Sequence, residues 1–244
     1  CPVCGEPFDT PMTRSELNRA LKSAVAAARV AGVLLRKNRH ALKHVNDAPD
    51  HDVKLELDVR CQHLIQRRLL RDFPESTLLG EEGEQPLEHG PCRWVVDPID
   101  GTVNYFHGIP HACICIALQQ RSRARAAQLD HGYRTIVGVI YDPFMDELWS
   151  AVDGGPALLN GKRIRVSRTS RLIEGIVAMG FGKNVRSVKR SLPLFATLSL
   201  KARKVRNMGS AGLAMAYVAC GRFDAYIEQG INLWDVAAGG LILE

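Results

Sequence analysis

Trp94-Val95-Val96-Asp97-Pro98-Ile99-Asp100-Gly101-Thr102 is the stretch on which the reading of this chain turns. An apolar run of strand formers ends abruptly in Asp-Pro-x-Asp-Gly, which sets acidic groups at a strand terminus, where open sheets commonly build their sites. Pro98 has no N–H to give a ladder, so the strand is expected to stop there. Two carboxylates separated by a Pro-Ile step can converge on one point, and like charges that close demand a proton or a cation. Hard oxygen ligands favour magnesium, manganese or calcium over zinc. Gly101-Thr102 allows close backbone approach, and free amides there suit a phosphate. Read alone, the same residues also make an ordinary turn, because Asp, Pro and Gly are all turn formers.

Working outward, Gly80-Glu81-Glu82 adds two acids upstream, so that the two motifs together carry four carboxylates. Far downstream, Trp234-Asp235-Val236-Ala237-Ala238-Gly239 puts Asp235 in or near the first turn of a small-residue helix. An acid there also serves simply to complement the helix dipole.

The rest of the pattern supplies a scaffold. Thr13-Arg14-Ser15-Glu16 reads as a capping box opening a helix to about Arg39, with Leu17, Leu21, Ala24, Ala28, Ala31 and Leu35 on one face and a solvated basic face opposite. Lys43 to Asp52 reads as an exposed polar loop, and Leu57 to Arg71 as a second helix. Strand periodicity follows at Trp94 to Val96, Ala112 to Leu118, Ile136 to Tyr141 and Glu147 to Val152, and Asn160-Gly161 marks a hairpin between Ala157 to Leu159 and Arg163 to Val166. Beyond Ser170 the order becomes strand 176–180, helix 188–200, strand 204–206, helix 210–220 and strand 223–227. That alternation marks an α/β half. The division expected is an N-terminal extension over 1–12, an α+β half over 13–152 and an α/β half over 153–244.

Composition excludes several classes. The 244 residues are 46% hydrophobic and 24% charged, which is neither disordered nor low-complexity, and no apolar run approaches the roughly 20 residues of a membrane span. The opening residues do not read as a signal peptide, and the seven scattered cysteines give no disulfide framework, so a reducing cytoplasm is expected. Cys1-Pro2-Val3-Cys4 is half of a zinc ribbon without its second half. His107 and His111 flank Gly108 and Pro110 and do not form a helical zinc pair, while Cys113 and Cys115 share one face of an apolar strand and read as core. A net charge of +6 suits an anionic partner. Arg121 to Arg125, Lys183 to Arg190 and Lys201 to Arg206 support an alternative reading as a polyanion- or RNA-binding protein, against which the low aromatic content argues.

Taken together, the Asp97–Thr102 run, Gly80-Glu81-Glu82 and Trp234–Gly239 resemble the motifs of the inositol monophosphatase family of magnesium-dependent, lithium-sensitive phosphatases. The resemblance runs from about Leu17 to Glu244 and includes Leu159-Asn160-Gly161-Lys162 and Gly209-Ser210-Ala211-Gly212. It implies a layered α-β-α-β-α sandwich, a homodimer, and two or three magnesium ions per site, with manganese as the alternative. Glu81, Asp97 and the Ile99 carbonyl would hold the first metal, and Asp97, Asp100 and Asp235 the second. Glu81 and Thr102 would orient the attacking water, with Asp58 supporting the threonine, and the amides of Gly101 and Thr102 would receive the phosphate. Gly209, Ser210 and Ala211 would line the substrate alcohol, and Glu228 would contact its hydroxyls. On their own terms Ser210 reads equally as a helix N-cap, and Glu228 as an exposed acid at a strand end.

Two departures from the family pattern stand out. Asp52-Val53-Lys54-Leu55-Glu56-Leu57-Asp58 keeps both aspartates of the family's Asp-x-Val-Thr-x-x-Asp but has no threonine, and Lys54 becomes either a phosphate contact or a solvated side chain. Family members also continue past the position of Glu244 with another strand and helix, so a sheet edge is expected to be exposed. The expected substrate is a small polyol or sugar monophosphate resembling inositol 1-phosphate. Histidinol phosphate, fructose bisphosphate and a 3′-phosphoadenosine nucleotide are the alternatives within the superfamily.

Overall fold

The computed structural model describes residues 11–41, 44–47, 54–83, 90–122, 132–182 and 184–244. The Cys1/Cys4 pair, Asp52, Lys183 and the 123–125 part of the basic run lie outside the described residues, as does the Lys54 side chain. In chain order the elements are α1 (Arg14–Asn38), β1 (Val45–Asp47), β2 (Lys54–Leu55), α2 (Glu56–Asp72), β3 (Thr77–Gly80), β4 (Cys92–Asp100), α3 (Thr102–Phe106), β5 (Cys113–Arg121), β6 (Tyr133–Asp142), β7 (Glu147–Val152), β8 (Leu158–Leu159), β9 (Lys162–Arg163), β10 (Ile176–Met179), α4 (Val185–Lys201), β11 (Lys204–Arg206), α5 (Ala211–Ala219), β12 (Ala225–Ile227) and α6 (Leu233–Leu243).

Local chemistry accounts for the element starts. Thr13 Oγ1 accepts the Glu16 N–H at 3.3 Å and Glu16 accepts the Thr13 N–H at 2.7 Å, the reciprocal cap written in the sequence. Asn160 and Gly161 both take positive φ, 49° and 77°, which makes the two-residue turn between β8 and β9. That hairpin pairs with β7, so it extends the first sheet. The polar stretch before α2 is not wholly a loop, since β1 pairs antiparallel with β2.

Two sheets result. The larger has seven strands in the order β3-β4-β5-β6-β7-β8-β9, antiparallel except for the β3–β4 pair, and the smaller is parallel in the order β11-β10-β12. Alternation along β4 and β5 divides the core between the two faces of the large sheet. Trp94, Val96, Ile114 and Ile116 point to α1 and α2, while Val95, Cys113, Cys115 and Ala117 point to α5 and α6. A third cluster joins Ala178 of β10 to Ala214 of α5, and a fourth joins Val177 and Met179 to Leu198 of α4. The layers therefore run α1/α2, large sheet, α5/α6, small sheet, α4. This is the α-β-α-β-α sandwich expected.

Two expectations need correction. Strand β4 does not stop at Pro98 but runs on to Asp100. Its register with β5 slips between Asp97↔Cys115 and Asp100↔Cys113, and Pro98 sits in that bulge, where no ladder N–H is required. Nor is the basic face of α1 simply solvated: Arg36 donates to the Tyr141 hydroxyl at 2.9 Å and the Pro143 carbonyl at 3.1 Å, and Arg29 pairs with Asp146 at 3.2 Å. These long side chains tie α1 to the β6–β7 turn.

Candidate active site

The bulge at Pro98 is what builds the acidic site. Parallel pairing of Gly80 with Val96 continues one step further, with the Glu81 N–H donating to the Val96 carbonyl at 3.1 Å, which sets Glu81 beside Asp97. Gln62 of α2 holds the next residue from both sides, its Oε1 accepting the Glu82 N–H at 2.9 Å and its amide nitrogen donating to the Glu82 carbonyl. On β4, Asp97 Oδ1 accepts the Ile99 N–H at 3.0 Å, and the bulge turns Asp100 toward α5. From the far end of the chain, Asp235 in the first turn of α6 accepts the Asn232 N–H at 2.8 Å.

Oxygens of Asp97, Asp100 and Asp235 all lie within 4.8 Å of one another. Asp97 is buried, at 1% exposure, and its carboxyl is pushed well above the usual carboxylate range, first by burial and then by the charges of Glu81, Asp100 and Asp235. Such a cluster stores repulsion that a proton or a cation relieves. The donor set is all oxygen and fits a hard divalent cation.

Next to the acids the backbone forms a cradle. Gly101 has φ +94° and caps α3, and a Cβ there would stand 2.9 Å from the His111 carbonyl and 3.1 Å from that of Gly209. Only glycine fits this position. The Thr102 hydroxyl donates to the Ile99 carbonyl at 2.7 Å. Asn104 clamps the cradle to the other half of the fold, donating to His111 O at 2.9 Å and Met208 O at 2.8 Å.

Asp100 is met by the start of α5. Ser210 Oγ donates to Asp100 Oδ2, Gly212 N–H donates to the same oxygen at 2.7 Å, and Ala211 N–H donates to Oδ1 at 3.1 Å. Ser210 also caps α5 through the Leu213 N–H, the N-cap reading of this residue. Across the cavity, Glu228 follows β12 and receives the Tyr226 hydroxyl. Gly180, at the end of β10, makes room for it: a Cβ there would stand 1.7 Å from Glu228 Oε2.

The sequence-predicted residues Glu81, Asp97, Ile99, Asp100, Gly101, Thr102, Gly209, Ser210, Ala211, Glu228 and Asp235 all line one cavity of about 280 Å³. Asp58 is not among its lining residues; its Oδ2 accepts the Leu55 N–H at 2.7 Å at the start of α2. Sequence reasoning missed Asn104, Gln62, Tyr226 and Gly180. Asn104 and Tyr226 lie within a few residues of the motifs, but nothing local shows which carbonyl or carboxylate each will reach. His107 and His111 do not pair; the His107 ring packs on Phe106 and the His111 ring on Tyr217.

Comparison with known proteins agrees with this geometry. Residues 16–244 match the model of the inositol monophosphatase family. A protein named Nus factor SuhB from Xylella fastidiosa is 40% identical over 227 residues, covering 92% of this chain and 78% of that one. Inositol monophosphatase 1 of Solanum lycopersicum is 36% identical over 236 residues, covering 93% and 82%. Among solved structures, an inositol monophosphatase from Anabaena superposes with a TM-score of 0.79 at 34% identity, covering 93% of this chain and 81% of that one. The extragenic suppressor protein suhB of Bartonella henselae superposes at 0.82 with 32% identity, covering 91% and 83%. On the family match over nearly its whole length, and on an acidic cavity at the junction of its two sheets, the chain belongs to the inositol monophosphatase family of phosphomonoesterases.

Proposed function

We propose that this protein hydrolyses a small polyol or sugar monophosphate, resembling inositol 1-phosphate, with magnesium as its cofactor. The observation that carries the reading is the convergence of Asp97, Asp100 and Asp235 within 4.8 Å, with Asp97 buried. Glu81, Asp97 and the Ile99 carbonyl would hold one magnesium, and Asp97, Asp100 and Asp235 another. When bound, the pair supplies charge neutralisation for the phosphoryl dianion, a lowered pKa for the attacking water and stabilisation of the leaving oxygen.

The chain's own groups do the remaining work. Gly101 and Thr102 present backbone amides at the start of α3 to the phosphate oxygens. Thr102 Oγ1 is held by the Ile99 carbonyl, and Thr102 and Glu81, which line the same cavity, orient the water. Asp58, which fixes the start of α2 by accepting the Leu55 N–H, supports the threonine. Gly209, Ser210 and Ala211 line the alcohol side, where Glu228 accepts hydroxyl hydrogens.

A carboxylate at that end favours neutral hydroxyls and disfavours a second phosphate, which ranks a polyol monophosphate above fructose bisphosphate or a phosphoadenosine nucleotide. Histidinol phosphate stays closer, since its cationic amine would pair with Glu228. Among the described residues no helix is long and apolar enough to cross a membrane, and Cys61, Cys92, Cys113, Cys115 and Cys220 are all free, which suits a cytoplasmic enzyme. A homodimer is part of the same reading.

Phosphate release from inositol, histidinol, fructose and adenosine phosphates, with and without magnesium and with Asp97→Asn as control, tests the assignment. Magnesium-dependent release led by the inositol ester is expected. A folded protein inert on the whole panel, or an Asp97→Asn variant that retains substantial turnover, would overturn it.

A further inference from the structure

Beneath the acidic cavity lies a second set of metal-ligating atoms of different chemistry. Cys113 and Cys115 sit two residues apart on β5, so both side chains leave the same face of the sheet, toward α5. Their sulfurs are 3.8 Å apart. The Cys113 thiol donates to Asp100 Oδ2 at 3.3 Å, and these two sulfurs and the Asp100 oxygen all lie within 4.8 Å of one another.

The sulfur–sulfur and Cys113–Asp100 separations are close to those that zinc imposes. Zinc–sulfur bonds of about 2.3 Å at the tetrahedral angle put the two sulfurs roughly 3.8 Å apart, and a carboxylate oxygen at about 2.0 Å falls roughly 3.5 Å from each sulfur. Glycine at position 212 lets the start of α5 approach the triangle closely: a Cβ there would stand 2.5 Å from Cys115 Sγ and 3.0 Å from both Cys113 Sγ and Asp100 Oδ2. Ser210 Oγ, 3.7 Å from Cys113 Sγ, offers a further oxygen.

We propose that Cys113, Cys115 and Asp100 form an inhibitory site for a thiophilic divalent cation of the zinc class. Soft sulfur ligands select such a metal over magnesium, and as the two metal–sulfur bonds form, the thiol protons leave to solvent. Asp100 is the shared element. A carboxylate drawn to the thiolate-bound metal is withdrawn from the oxygen-ligated site, so the two metals exclude one another. The competition, unlike the zinc site itself, rests on the reading of Asp100 as a magnesium ligand.

The test uses the full chain in a Cys1→Ser, Cys4→Ser background, which removes the other closely spaced cysteine pair. Cadmium serves as the spectroscopic probe through its ultraviolet thiolate charge-transfer band, and zinc is titrated against it. One tight metal per chain is expected, with Cys115→Ser lowering its affinity by about 100-fold, the upper range for disturbed metal sites. Cys115→Ala provides a second variant, and thermal melting reports that each is folded. In the phosphatase assay zinc inhibition should weaken in parallel and be relieved by raising magnesium. An unchanged band in both folded variants, or no tight thiolate band in the background protein, would overturn the site. Zinc inhibition that magnesium does not relieve would overturn the competition. If no substrate is turned over, absorbance still decides the metal site, and only the functional reading falls.

Discussion

Asp100 accepts the backbone N–H of Gly212 at 2.7 Å, across 112 positions of sequence. The contact joins the end of β4 in the large sheet to the first turn of α5. It carries a consequence for both stability and chemistry, because the positive end of a helix now faces a carboxylate that stands among other carboxylates. Part of the repulsion within the acidic cluster is offset by fixed backbone dipoles, which also orient Asp100.

Ser210 is the residue through which that arrangement is best tested. Ser210→Ala removes both the cap on α5 and the hydroxyl donor to Asp100, while the Ala211 and Gly212 amides remain. A loss of about 1 kcal/mol in urea unfolding is expected from the cap alone. Magnesium affinity should fall as well, by roughly 10–100-fold for a ligand that has lost an orienting partner. A variant with weakened stability and unaltered magnesium dependence would show that Ser210 serves only the helix.

Tyr226 and Glu228 form the corresponding pair at the alcohol end. Tyr226→Phe keeps the ring, which packs with Ala178 and Phe223, and removes only the hydroxyl that Glu228 receives. A hydrogen bond to a charged group contributes about 1.5–3 kcal/mol, so KM for a polyol phosphate should rise roughly 10- to 100-fold with kcat little altered. A small phosphate ester without distal hydroxyls should be hydrolysed as before. Equal losses on both substrates would mean that Tyr226 acts on the fold and not on Glu228.

Where the sequence was legible, it was because the signal was local. Thr13 and Glu16 are three residues apart and satisfy each other, and Asn160-Gly161 announces its own turn, so α1 and the β8–β9 hairpin could be read from a few neighbouring letters. The metal-ligand candidates were legible for another reason: each motif alone also fits a turn or a helix start, but the three together resemble those of one family. Contacts closed by the topology were not legible. Gln62 meets the backbone of Glu82, Asn104 meets Met208, and Gly180 yields space to Glu228, and each depends on which elements become neighbours. Pro98 misled because the rule that ends strands at proline assumes a regular ladder, and the bulge between Asp97 and Asp100 suspends it.

Asp142 offers a pH prediction away from the acidic cavity. It is buried, at 1% exposure, and its Oδ1 accepts the N–H groups of Phe144 at 2.8 Å and Met145 at 3.1 Å. Burial pushes its carboxyl above the usual range, with Glu147 adding to the effect and the two turn amides and Arg222 opposing it. For an acid whose folded pKa is raised, the protonated form is favoured by folding, so its contribution is present at low pH and is lost as pH rises through the folded value. Asp142→Asn keeps the acceptor for both amides and cannot ionise. Its stability relative to the parent should therefore improve as pH rises from the acid range toward neutrality, read as a difference in urea midpoints. A variant that loses stability relative to the parent over that range would contradict the sign.

Metal removal tests the electrostatic core of the site without reference to any substrate. In the metal-free chain burial and the charges of Glu81, Asp100 and Asp235 oppose the ionisation of Asp97, and this repulsion weighs against the folded state near neutral pH. On the proposed reading magnesium binds the folded cluster and not the unfolded chain, so saturation to about 100 times its dissociation constant should add about 2.7 kcal/mol of stability, seen as a rise in melting temperature. Asp97→Asn removes the charge nearest the centre. The variant should melt at or above the temperature of the metal-free parent, because repulsion is relieved, yet gain little from magnesium, because the bridging ligand is gone. The two shifts have opposite origins and cannot both follow from a generic packing defect. If Asp97→Asn melted lower than the metal-free parent and still responded fully to magnesium, the carboxylate would be a structural group and the metal would be held elsewhere.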